Sequence, residues 1–116
     1  MKIKLKFTAE QMRYLITFCT HKLSAYDHLL EEIEIINIKN FVRFILKKLI
    51  SDDHHLTKIR SWSIDINYIF AVKNLLENFD DILDPYMRMI QETIRIQITP
   101  QVQIHQSKNI TNFSLN

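Results

Sequence analysis

The 116 residues contain no glycine, one cysteine and two prolines. The missing glycine is the most restrictive of these absences. A phosphate-cradling loop, a dinucleotide fingerprint and a serine nucleophile elbow each need backbone that turns through positive φ or lets a ligand approach closely, and glycine supplies it. Those nucleotide-binding and hydrolase motifs are excluded. Cys19, alone, rules out an internal disulfide and suits a reducing compartment, so the cytoplasm is the expected location. Alanine is scarce too, three residues against 19 isoleucines, so any helix presents bulky faces.

Long hydrophobic runs are also lacking. The most apolar helical window, NFVRFILKKLI, is interrupted by Arg43, Lys47 and Lys48, too short and too charged to cross ~30 Å of hydrocarbon. The basic start MKIKLKF leads into a brief apolar run with no small-residue cleavage site, so no signal peptide is expected. The triplets NIT from Asn109 and NFS from Asn112 then carry no weight, because the glycosylation signal matters only in secreted chains. No contact with a membrane is inferred.

What remains is ordinary globular composition, 47% apolar and 24% charged, in a chain the size of one domain. Residues 2–8, KIKLKFT, alternate lysine with an apolar residue, the pattern of a half-buried strand. Thr8 and Gln11 form a capping-box pair that opens a helix at Ala9. Met12, Leu15, Ile16, Cys19, Leu23, Tyr26, Leu30 and Ile33 then recur at three- and four-residue steps, predicting a first helix over 9–35. Asn37 and Asn40 supply a polar break, and a second helix over 40–51 buries Phe41, Phe44, Ile45 and Leu49. A second β-rich segment at 56–62 precedes a third helix over 63–79, with Ile64, Tyr68, Val72, Leu75 and Phe79 on its stripe. Asp84 and Pro85 are a strong helix start, and a fourth helix over 85–98 ends before Pro100. After it, alternation at Ile98, Val102 and Ile104 leaves two readings open, a third strand or a frayed end.

The fold class is therefore mainly α: a compact four-helix domain over residues 1–106 with a short two-stranded ribbon, and a flexible polar tail at 107–116. Its halves, 1–51 and 56–98, resemble each other as strand–helix–helix units, helices matching at offsets of 56 and 45. Two copies fall short of a solenoid, so a closed pseudo-twofold bundle is the reading, set against chance matching of apolar helices.

Two clusters invite a metal or acid–base reading. Asp52, Asp53, His54 and His55 are adjacent and so diverge, whereas metal ligands converge; a solvated turn is the simpler account. His21, His28 and Glu32 would share a face of the first helix but lack partners elsewhere. Cys19 lies on the core stripe, where a thiol acts as a small hydrophobe. No catalytic set converges, so the sequence points to a non-enzyme with no cofactor, metal or small-molecule substrate.

Two functions remain. The first is a small helical protein–protein interaction module, docking on another protein or on a second copy of itself. Phe18, Leu29, Ile36, Phe70 and Met87 fall off the main stripes yet are large, and a two-fold dimer through the upper first helix would cover them. The alternative is a nucleic-acid-binding accessory protein. Residues 39–60 carry six basic against two acidic residues; Lys39, Arg43 and Lys47 lie four apart on one face of the second helix, and with Lys58 and Arg60 they could meet phosphates. Against that stand the modest net charge of +2 and the lack of a recognition-helix turn.

Overall fold

A computed structural model describes residues 1–51, 57–78 and 84–114, with side chains described as far as residue 102. The element order is β1 (Lys2–Thr8), α1 (Ala9–Tyr26), α2 (Glu32–Ser51), β2 (Ile59–Asp65), α3 (Ile66–Asn78) and α4 (Pro85–Ser114), with a 3₁₀ turn at Asp27–Leu29. The protein is thus mostly helical, with four helices and a two-stranded antiparallel sheet among the described residues.

β1 forms where the alternation lies. Ile3, Leu5 and Phe7 are buried and Lys2, Lys4 and Lys6 exposed. It pairs with β2 in a register that sets Lys2 opposite Asp65, Leu5 opposite Trp62 and Thr8 opposite Ile59. The second strand lies three residues later than 56–62, because its inward positions are Trp62 and Ile64. Trp62 carries the largest ring in the chain into the core and donates its indole N–H to the Phe7 carbonyl at 3.0 Å, so burial leaves no orphan donor.

The capping box forms as read. The Thr8 hydroxyl accepts from the Gln11 amide at 3.1 Å, and the Gln11 side chain accepts from the Thr8 amide at 2.9 Å. Asp65 accepts from the Asn67 amide at 2.8 Å to open α3, and Asp84 from the Met87 amide at 2.7 Å to open α4 behind Pro85.

The first two helices divide elsewhere than expected. α1 stops at Tyr26, Leu30 donates to the Asp27 carbonyl at 3.2 Å, and Leu30 itself is extended, at φ −104° and ψ 148°. Asn37 and Asn40 lie inside α2. The chain turns through an extended residue, and no positive φ occurs among the described residues, so the turn needs no left-handed breaker at Asn37 or Asn40. The earlier turn frees α2 to fold back with Ile38, Phe41 and Ile45 inward, leaving Ile33 58% exposed.

α4 corrects a second expectation, running through Pro100 to Ser114. A proline inside a helix removes one N–H and crowds the preceding turn. Here the Thr99 hydroxyl donates to the Arg95 carbonyl at 2.8 Å and the Gln101 side-chain NH2 to the Gln97 carbonyl at 2.9 Å, supplying extra donors around the interruption. Ile98 and Val102 are one helical turn apart, not strand neighbours.

The core joins both strands to all four helices; Met87, Ile90, Ile94 and Ile98 bring α4 into it. Met87, expected to need a partner's cover, is a core residue, and Phe18 packs against the core. Lys22 is buried with its ammonium 5.5 Å from the Phe18 ring and 5.2 Å from the Tyr26 ring, a cation held over two π faces one turn away on either side. No helix among the described residues is long and apolar enough to cross a membrane.

Candidate nucleic-acid interface

Successive side chains of a strand point to opposite faces. In this ribbon one face is core and the other is bare. Lys2, Lys4 and Lys6 of β1 and Ser61 and Ser63 of β2 are all exposed, and the register places Lys4 beside Ser63 and Lys6 beside Ser61. Lysines two residues apart in a strand stand about 6.7 Å from each other. Among the described residues no ion pair engages them.

The ribbon is held so that its edge is closed while this face stays open. On the side of β1 away from β2, Lys6 donates its amide to the Gln97 side-chain oxygen at 2.6 Å and its carbonyl accepts from the same amide group at 3.0 Å. Lys4 and Gln101 repeat the exchange at 3.1 and 2.9 Å. The two glutamines are four residues apart on α4, about 6.0 Å along a helix, which nearly matches the two-residue step along a strand. α4 thereby occupies the edge where a third strand would pair.

The stripe read from the second helix is placed differently. Lys39 and Arg43 stand at the lip of a groove between α1 and α2, whose volume is about 610 Å³ and whose apolar walls include Leu23, Ile35, Val42 and Leu46. Asp27 shares that lip, and Lys47 is exposed. Lys58 is exposed just before β2. Arg60 lies on the inner side of β2 with its guanidinium 4.2 Å from the Trp62 ring centre, a stacked position off the outer face. The structure brings Lys39 and Arg43 together and gathers none of the five expected residues on the ribbon's outer face.

The lysines that form this face were legible as an alternation but not as a surface. KIKLKF places three cations on one side of a strand; only a paired β2 with serines on the same side makes a flat two-stranded face from them.

The histidine readings separate. His21 is exposed on α1, and His28, in the 3₁₀ turn, has its Nδ1 3.8 Å from an Asp27 carboxylate oxygen. Because α1 ends at Tyr26, His21, His28 and Glu32 no longer share one helix. Asp52–His55 lies outside the described residues. Among the described residues no three histidine, cysteine or acidic side chains gather as metal ligands would. Cys19 is buried, and burial pushes its thiol up to about 12, away from nucleophilic chemistry at neutral pH.

No protein-family model, curated protein or solved structure matches the chain.

Proposed function

We propose that the protein binds double-stranded DNA by laying the outer face of the ribbon in the major groove. The observation that carries this reading is the two-stranded face itself: three exposed lysines beside two exposed serines, on a ribbon whose other face buries Ile3, Leu5, Phe7, Trp62 and Ile64 in the core. A major groove about 12 Å wide admits a two-stranded β-ribbon, lysine meets guanine O6 and N7 or phosphate, and serine meets several base edges. The glutamine clamp from α4 supports the reading, since a ribbon fixed along one edge presents its side chains in one orientation.

Binding of a fluorescent duplex, followed by anisotropy against salt, tests it. Three lysine contacts give a slope of about −3 in log K against log salt. Lys2→Glu, Lys4→Glu and Lys6→Glu together should abolish binding with the helical circular dichroism intact. Glutamates at Lys39, Arg43 and Lys47 should leave it largely unchanged. The reverse pattern would move the site to α2.

A second reading has its own observation. The α1–α2 groove is apolar, and Lys39 and Arg43 at its lip favour an acidic amphipathic helix of a protein partner. Leu46→Glu should then abolish capture of such a partner while leaving DNA binding intact. Equal effects on both would sink the two-surface picture.

We also infer that the halves are duplicates. At an offset of 57, Leu5, Phe7, Ala9, Met12, Leu15 and Cys19 fall on Trp62, Ile64, Ile66, Ile69, Val72 and Leu76, buried at every position. An offset of 56 sets Met12 on half-buried Tyr68 instead. For the second helices 49 replaces 45: Ile38, Phe41 and Ile45 fall on Met87, Ile90 and Ile94, all buried.

A further inference from the structure

An antiparallel ribbon has a local two-fold axis between its strands. In this chain that axis passes at the Leu5–Trp62 pair, and it exchanges Lys4 with Ser61 and Lys6 with Ser63. It likewise exchanges Lys2 with Ile59, which is 67% exposed. The backbone is therefore two-fold while the outer face is not: three cations on β1 answer two hydroxyls and an aliphatic side chain on β2.

Symmetric DNA sites mirror symmetric proteins. Two identical strands present identical groups to the two half-sites, so palindromy of the site follows from two-fold symmetry of the reader. A single chain with unlike strands lacks that requirement. Lysine discriminates for guanine through O6 and N7, whereas a serine hydroxyl both donates and accepts and so discriminates weakly. Phosphate attraction is unequal in the same sense, because the cations of the face all stand on β1 while β2 sets the Asp65 carboxylate opposite Lys2.

Resting on the ribbon reading above, we propose that one chain recognises a non-palindromic duplex whose guanines lie in the half contacted by β1. Lys4 and Lys6 stand one residue either side of the pseudo-dyad, and Lys4, beside Ser63, sets the guanine preference on its side of that axis. Ser61 and Ser63 leave the other half permissive.

The test is selection of duplexes from a random-sequence pool by the intact chain at about 0.1 M salt. The expected product is a site without dyad symmetry, enriched in guanine on one side. Lys4→Ala should reduce guanine discrimination at one position about five-fold or more. Ser61→Lys with Ser63→Lys makes β2 resemble β1, and should drive the selected site towards a palindrome with guanines in both halves. A palindromic site selected by the parent chain, or a motif unmoved by the two serine changes, overturns the proposal, and so does duplex binding with no sequence preference. None of these touches the ribbon reading. Failure to retain any duplex, with the chain folded, overturns both.

Discussion

The residues that do most to orient the ribbon are two glutamines that no composition rule singles out. Each of Gln97 and Gln101 exchanges two hydrogen bonds with one residue of β1. At about 0.5–1.5 kcal/mol net per bond, and with solvent able to replace part of each, Gln97→Ala is expected to cost about 1 kcal/mol in chemical denaturation. Hydrogen exchange at the Lys6 amide should quicken with it. Gln97→Glu should be no better, because it keeps an acceptor for the Lys6 amide but sets a carboxylate against the Lys6 carbonyl. A Gln97→Ala protein as stable as its parent, with the Lys6 amide still protected, would show the clamp to be idle. A second cluster joins α1 to the start of α4. The Tyr14 hydroxyl donates to Asp84, and the Tyr14 and Tyr86 rings meet edge to face at 4.7 Å. That hydroxyl, and next the Met87 amide, hold the Asp84 carboxyl below the ordinary range, while accepting carboxylate raises the Tyr14 phenol. A carboxyl lowered on folding contributes stability above its ordinary value of about 3.9, and the contribution is lost as pH falls through the folded value. A phenol raised on folding contributes below about 10 and loses that contribution as pH climbs through its folded value. Tyr14→Phe should therefore flatten both ends of the melting-temperature profile, and identical acid limbs for parent and variant would speak against the link.

At the scale of elements, helix ends divide into those set locally and those set by the fold. Thr8, Asp65 and Asp84 each satisfy an amide of the helix they open, so these starts are local chemistry, legible in the sequence to within a few residues. The end of α1 and the passage of α4 through Pro100 are tertiary outcomes. α4 crosses an unfavourable residue because Ile94 and Ile98 are buried on one side of it and Gln101 is tied to β1 beyond it. A proline in a helix interior costs about 3 kcal/mol. Pro100→Ala should therefore stabilise the protein, by about 1–3 kcal/mol, with the Lys4–Gln101 exchange retained. Loss of stability instead would mean that the bend at Pro100 is what seats Gln101 on the strand.

For the whole molecule, the ribbon decides cooperativity. Each half contributes one strand, the inward residues of both strands lie in one core with all four helices, and Trp62 sits opposite Leu5 at the ribbon's centre. Neither half can expose its strand without opening the other's core. Trp62 fluorescence and helical circular dichroism should accordingly report one coincident thermal transition, as a two-state domain requires. Two separated transitions would mean that the halves carry independent cores. The sequence by itself determined the helical class, the strand at residues 2–8, the capped starts at Ala9 and Pro85 and the burial of Cys19, because alternation, capping and helical period are properties of near neighbours. Only the tertiary structure decided where α1 turns, that α4 continues past Pro100, that Lys39 and Arg43 line a groove, and that three lysines meet two serines some 55 residues away on one face. Those outcomes depend on which distant surfaces are buried together, and no local period records that.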